Sequence, residues 1–245
     1  MRKTLLTLGV AAIALGAALT AQAFHNPQQY SLFGDATYIS PGNASNRAVY
    51  LVSDSSPGYG GIDYGVEEGT TFAELTTLGT DFRVEADDTC IGGSPRFQIN
   101  LLDPVTGDEG NAWTYFGPES LGAPCIPGTW QNTGDFLQTG RTLDTTQLNG
   151  GAYQDPYDTA LTKYGGYVVT GIQVVVDAGW HPTQGGEQAA DIDNTLINST
   201  LFTYEVPQPT NKEQCKNGGW QNLARANGTT FKNQGDCIQY ANTGK

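Results

Sequence analysis

Apolar and polar residues alternate in short runs along the chain, and Gly, Pro, Asn and Asp break the runs. Residues 48–53 (AVYLVS) form a compact apolar run. Residues 96–102 (RFQINLL) alternate, with Phe97, Ile99 and Leu101 on one face and Gln98 and Asn100 on the other. Residues 112–116 (AWTYF) alternate too, and residues 167–176 (YVVTGIQVVV) give the clearest strand, with Ile172, Val174 and Val176 sharing a face. A period of two sends successive side chains to opposite faces of a sheet. Residues 72–84 are expected to hold two strands divided near Gly79. Residues 190–197 and 199–205 are expected to close the sheet around a turn near Asn198, with weaker strands at Trp130 and Phe136–Leu137. Many short strands between turns predict an all-β fold, a jelly-roll β-sandwich.

One helix interrupts this pattern, over about 155–165 (DPYDTALTKYG). Asp155 is placed to cap it, Pro156 to start it and Gly165 to stop it. Tyr157, Ala160, Leu161 and Tyr164 fall on one face, which suits cover for a sheet edge. Val206–Pro209 (VPQP) reads as an extended linker over 206–210, dividing a body at 24–205 from a cysteine-bracketed appendage at 211–245.

The first residues set the compartment. Arg2 and Lys3 precede a mostly apolar stretch, and Ala21-Gln22-Ala23 fits a signal-peptidase site. The apolar stretch is short for a membrane span of about 20 residues. Residues 1–23 are therefore expected to be a cleaved signal peptide and the protein to be secreted, with no membrane insertion. Four cysteines in an exported chain imply two disulfides, for which three pairings exist. Pairing within sequence neighbourhoods would give Cys90–Cys125 and Cys215–Cys237.

Charge divides the chain. The formal net charge is −13, and loss of residues 1–23 removes two basic residues and no acids. From Thr210 onward five basic residues (Lys212, Lys216, Arg225, Lys232, Lys245) face two acids (Glu213, Asp236). The body then carries five basic residues against 23 acids. Such a surface excludes nucleic-acid binding through phosphate neutralisation and suits cations or neutral ligands.

Two stretches resemble known families. The tail, Cys215-Lys216-Asn217-Gly218-Gly219-Trp220 followed by Phe231-Lys232-Asn233-Gln234-Gly235-Asp236-Cys237, resembles a C-terminal motif of secreted, largely uncharacterised bacterial proteins, particularly from actinobacteria. An insert-like ARANGTT separates its halves here. That resemblance implies a secreted or surface context. Trp220 and Phe231 would form the core of a stapled mini-domain, docked on the body or on an anionic cell-wall polymer. The run from Thr170 to Ile197, with TGIQVVVDAGW and AADIDNTLI, looks like the close of galactose-binding-like jelly rolls, which implies that fold and a structural Ca2+.

For calcium, Asp191 and Asp193 are two apart on an expected strand and share a face. Asp35 would approach them if the first and last strands pair. Glu85-Ala86-Asp87-Asp88 is a second acidic cluster. For glycans, aromatic rings supply apolar walls and neighbouring amides and carboxylates take the hydroxyls. Tyr59 and Tyr64 flank Asp63 in an apparent Gly-rich loop. Trp113 and Tyr115 share a strand, Trp130 precedes Gln131 and Asn132, and Trp180 stands before His181 between Gly179 and Pro182. Trp180 is the foremost candidate.

Catalytic machinery is sparse. Glu67, Glu68, Glu74 and Glu187 are available, but nothing pairs two carboxylates as a glycosidase requires. The histidines are His25 and His181, and neither a Gly-x-Ser-x-Gly elbow nor a phosphate-cradling loop appears. The sequence therefore points to a secreted, non-catalytic binding protein for polysaccharide or cell-surface glycan. A structural or adhesive envelope protein and an unrecognised glycoside hydrolase are the alternatives.

Overall fold

Alternation becomes two facing sheets. The computed structural model describes residues 29–53, 58–121, 125–177 and 187–245. The expected signal peptide, His25, Trp180 and His181 lie outside the described residues. The strands are β1 (Tyr30–Gly34), β2 (Ala36–Ile39), β3 (Ala48–Ser53), β4 (Gly60–Tyr64), β5 (Leu78–Val84), β6 (Arg96–Leu102), β7 (Glu109–Tyr115), β8 (Gln131–Asn132), β9 (Thr142–Leu143), β10 (Asp155–Pro156), β11 (Val168–Val176), β12 (Gln188–Ile197) and β13 (Thr200–Phe202). One sheet runs β1-β4-β11-β6-β7 and the other β2-β3-β12-β5-β8, with β13 paired to β12. All of these pairings are antiparallel. The chain is an all-β sandwich of jelly-roll type.

The core lies between the sheets and is built by the predicted alternation. Phe97, Ile99 and Leu101 of β6 and Ile172, Val174 and Val176 of β11 point inward and are buried against Val49, Leu51, Phe82 and Ile192 of the opposite sheet. Phe116 stacks on Phe136 at 5.9 Å and meets Phe97 and Phe82 at 5.2 Å. Burying each such ring contributes about 1.5–3 kcal/mol. Cys90 pairs with Cys125, and Cys215 with Cys237.

Three local expectations change. β5 runs unbroken through Gly79, where a Cβ would meet the Gly134 carbonyl oxygen at 2.4 Å, so this glycine admits a close backbone neighbour instead of dividing the strand. Residues 72–74 form a single 3-10 turn whose Glu74 accepts from the Thr71 N–H and hydroxyl. The body helix α2 begins later than expected, at Tyr157–Tyr164, if α1 denotes the one-turn helix Pro118–Leu121 before it. Asp155 does not cap α2. It pairs in β10 with Leu143, and its carboxylate takes the Lys163 ammonium at 2.8 Å and the Thr145 hydroxyl at 2.9 Å.

The appendage adds a helix that the alternation did not reveal, α3 (Gln234–Thr243), capped by the Asn233 side chain accepting from the Asp236 N–H. Cys215, Leu223, Phe231 and Cys237 form its core, with Trp220 packed at the edge. Arg225 lies over Phe231 and pairs with Asp236 at 2.6 Å. The linker is tied down: the Pro207 carbonyl accepts from the Ala224 N–H, and Gln208 accepts from the Tyr240 hydroxyl. The appendage touches the body where Asn46 Nδ2 donates to the Ala226 carbonyl at 2.8 Å. Among the described residues no helix is long and apolar enough to cross a membrane. The two disulfides match an extracellular protein.

Candidate functional site

The strands that bury apolar residues inward must display their alternate residues outward. On the β1-β4-β11-β6-β7 sheet those residues form a connected polar row. Asp63 of β4 stands opposite Gln173 of β11, Gln173 opposite Gln98 of β6, and Gln98 opposite Trp113 of β7. Trp113 Nε1 donates to Gln98 Oε1 at 3.0 Å. Gln98 Nε2 donates to Gln173 Oε1 and to Asn100 Oδ1, each at 2.9 Å. Gln173 Nε2 donates to Asp63 Oδ1.

The two ends fix the direction of this row. An indole N–H can only donate and a carboxylate can only accept, so both glutamines must turn their oxygens toward Trp113 and their nitrogens toward Asp63. Burial raises the Asp63 carboxyl above the usual carboxylate range, and the bond from Gln173 pulls it back.

Aromatic side chains flank the row at both edges of the sheet. On the β7 side stand Trp113 and Tyr115, with the exposed Tyr153 at 6.5 Å from Tyr115. On the β1 side Phe33 lies across Gly61, whose added Cβ would strike the ring at 2.1 Å, and Tyr59 meets Phe33 at 6.1 Å. Tyr59 is 44% exposed. Four inter-strand spacings of about 4.8 Å put these edges roughly 19 Å apart. Two depressions sit on the β6–β7 side. One of about 400 Å3 is lined by Gln98, Asn100, Glu109, Asn111, Gln147 and Thr170, and one of about 220 Å3 by Arg96, Trp113, Tyr115 and Asp177. Arg96 lies 5.8 Å from the Trp113 ring and holds both Asp177 oxygens.

The structure thus joins Asp63 and Trp113 from the sequence-derived candidates through Gln98 and Gln173, with Asn100 and Arg96 beside them, none of these four among those candidates, and leaves Tyr59 at the opposite edge of the sheet. The first three of these added residues were readable as the outward positions of RFQINLL and TGIQVVV.

Tyr64 is not a ligand platform. It is 3% exposed, and its hydroxyl bonds Thr195 Oγ1 at 3.1 Å and the Tyr204 hydroxyl at 2.5 Å inside the core. Residues 60–64 are strand β4, not loop, so alternation sends Asp63 out and Tyr64 in. Trp130 directly precedes β8 of the other sheet, half-buried with the Arg83 guanidinium 5.1 Å from its ring.

The three aspartates expected to hold Ca2+ do not converge. Asp35 sits where the chain passes from β1 to β2, and these strands pair with β4 and β3, not with β12. Asp191 and Asp193 do share a face of β12, opposite Arg83 and Asp81. Arg83 takes Asp191 through Nε at 2.7 Å and Nη2. Asp193 accepts from the Asn43 and Asn194 N–H groups and the Ser45 hydroxyl. Asp81 beside it is ringed by the amide nitrogens of Asn43, Asn132 and Asn194. Arg83 holds Asp191 through Oδ2 alone and leaves Oδ1 buried without a hydrogen-bond partner, but that guanidinium already sets a positive charge on Asp191, and donors hold Asp193 and Asp81, so the residues present do not fit the ion. Among the described residues no three His, Cys, Asp or Glu side chains are grouped to hold a metal, the Glu85–Asp88 stretch included.

No family model matches the chain, and no curated protein matches it. Solved structures resemble it slightly. An exo-β-agarase shares 14% identity at a TM-score of 0.35, covering 78% of this chain and 27% of that one. A second agarase, AgWH50C, shares 10% at 0.35, covering 73% and 25%. The Clostridium thermocellum xylanase 10B with its CBM22-1 and GH10 modules, complexed with xylohexaose, shares 15% at 0.27, covering 79% and 33%. The chain spans about a quarter of the length of the two agarases. Likeness of this degree carries no function from those proteins to this chain.

Proposed function

We propose that the protein is an extracellular, non-catalytic glycan-binding protein whose binding surface is the outer face of the β1-β4-β11-β6-β7 sheet. The observation that carries the reading is the in-register row Trp113–Gln98–Gln173–Asp63. A sugar presents hydroxyls that both donate and accept and C–H faces that lie on aromatic rings. The row offers oriented amide donors and acceptors ending in a carboxylate, and Trp113 and Tyr59 offer rings at its flanks.

The carboxylates on this face favour binding over hydrolysis. Hydrolysis of a glycosidic bond uses two carboxyl groups, one to protonate the leaving oxygen and one to act as nucleophile or base. Here Asp177 has both oxygens held by Arg96, and Glu109, in the depression on this face, stands three strands from Asp63, roughly 14 Å away by strand spacing and too far to pair with it across a glycosidic bond.

The test is retention of the mature protein on a panel of insoluble polysaccharides and cell walls. Wild type should be retained on at least one polymer and Trp113→Ala should lose that retention. Absence of retention on every polymer, or equal retention by Trp113→Ala, would overturn the reading and move the weight to a structural envelope protein.

A further inference from the structure

Body and appendage meet over a pocket of about 340 Å3 on a different part of the molecule from the amide row. The body supplies Tyr38, Asn46, Arg47 and Glu205, and the appendage closes the wall with Gly228 and Thr230. The Arg47 guanidinium carbon lies 3.3 Å from the centre of the Tyr38 ring. That ring is itself steadied by a 3.3 Å contact between the Tyr38 and Tyr30 hydroxyls.

Among the described residues the Arg47 guanidinium has no carboxylate partner. The body holds 23 acids for five basic residues. Arg83, Arg96 and Lys163 each form an ion pair, and Arg141 donates to the Thr133 carbonyl. Among the described residues Arg47 forms no ion pair. Glu205, the acid at the pocket, has one oxygen engaged by the backbone N–H groups of Asn46 and Arg47 at 2.8 and 3.0 Å. A guanidinium stacked on a ring has one face covered, while its N–H groups point outward along its edge. That edge matches a planar carboxylate in a two-point contact. Asn46 gives its amide nitrogen to the Ala226 carbonyl, which leaves its amide oxygen as an acceptor. The Ser40 and Thr230 hydroxyls complete a lining suited to ring hydroxyls.

We propose that this seam binds a hexuronate, a sugar carrying a carboxylate, with Arg47 as the carboxylate clamp. The proposal rests on the glycan-binding reading for the sugar and on Arg47 for the charge. Because the appendage forms part of the wall, an occupant would also hold the appendage against the body.

The test titrates the full mature chain with D-galacturonate, its methyl ester, D-galactose and acetate, by calorimetry and by amide chemical shifts. Galacturonate should bind, with shifts confined to residues 38–47, 205–206 and 228–230. The ester and galactose should bind at least about tenfold more weakly, since both lack the charge. Arg47→Gln should lose at least about tenfold for galacturonate, and Arg47→Lys, which keeps charge but not the planar fork, should lose less.

Retention on neutral polysaccharide, read in parallel, reports the sheet face separately. The seam proposal fails if galacturonate does not bind, if it binds no better than its ester, or if Arg47→Gln binds it as wild type does. Acetate binding as tightly as galacturonate would overturn the sugar assignment. Shifts centred on Asp63 and Trp113 would place the uronate on the sheet face and leave only the glycan reading standing. Should Arg47→Gln fail to fold, the ester comparison and the shift map on wild type decide the matter.

Discussion

Replacing Gln98 tests whether the amide row binds or merely braces. Gln98→Leu keeps the side-chain volume and removes three hydrogen bonds, those to Trp113, Asn100 and Gln173. Each is worth about 0.5–1.5 kcal/mol net. Water can replace part of each bond because the side chain is only half-buried, so the loss should be about 2 kcal/mol. In a chain of this size that lowers the melting temperature by about 4–8 °C, read by scanning calorimetry. The row also loses its ordered acceptor and donors, so retention on the bound polysaccharide should fall more than tenfold, a change of about 1.4 kcal/mol or more. A sharper variant is Gln98→Glu. A carboxylate at 98 still accepts from Trp113 but offers nothing to Gln173. The Gln173 nitrogen must then turn toward 98, and its oxygen must face Asp63. The row reverses at one end, and Asp63 should hold its proton to higher pH. If Gln98→Leu loses stability but is retained like wild type, the row is a structural strut and the binding assignment is refuted.

Burial raises the carboxyls of Asp63, Asp88, Asp191 and Asp193. The folded state therefore holds these protons more tightly than the unfolded chain. Stability from this source is full below the unfolded value of about 3.9 and is lost as pH rises through the raised values. Asp63→Asn should flatten that decline in a melting-temperature series across mildly acidic to neutral pH, and curves parallel to wild type would refute the burial argument. Cys215→Ser removes a bridge between residues 22 apart, worth about 3 kcal/mol in the chain-entropy model. Limited proteolysis should then cut within residues 211–245 while the melting of the sandwich is unchanged; a sandwich that melts earlier would show that the appendage supports it. EDTA should leave the melting temperature unchanged, because the Arg83 guanidinium already neutralises Asp191, and Ser45 and the asparagines hold Asp193 and Asp81. A drop reversed by Ca2+ would show that those donors give way to the ion.

Much of the sandwich was legible because burial on one face writes a period of two into the chain. Residues 96–102 and 168–176 carry that period with few breaks, and alternation alone groups Phe97, Ile99 and Leu101 on one face and Ile172, Val174 and Val176 on another. Where the period was short or interrupted, reading failed for identifiable reasons. GGIDY offers two glycines and one aliphatic residue, so β4 looked like a loop and Tyr64 looked exposed. The glycines are there because Phe33 lies across one and the Asp35 backbone presses on the other. Asp155 carries every local sign of a helix cap, yet Lys163 and Thr145 claim its carboxylate. Asp191 and Asp193 share a face as expected, but which residues stand opposite them depends on strand order, and no local pattern states that order. The same limit hid the amide row. Alternation shows that Gln98 and Gln173 point outward, not that they are neighbours.

Neighbourhood is what changes their chemistry. A free surface glutamine samples many rotamers, and fixing it on a ligand costs on the order of 1–2 kcal/mol in side-chain entropy. In this row that freedom is already lost in the folded protein, because Trp113 at one end and Asp63 at the other admit a single hydrogen-bond direction. A ligand laid along the row meets donors and acceptors in fixed places and does not have to order them, the condition under which weak polar contacts add up to retention. An unconnected set of the same residues, scattered over the sheet, would have the same composition and exposure without that preorganisation. The row's value therefore lies in the register of four strands, and substitutions that slip the register, such as a residue inserted at the Thr170 bulge between Val169 and Gly171, should abolish retention even with every side chain of the row still present.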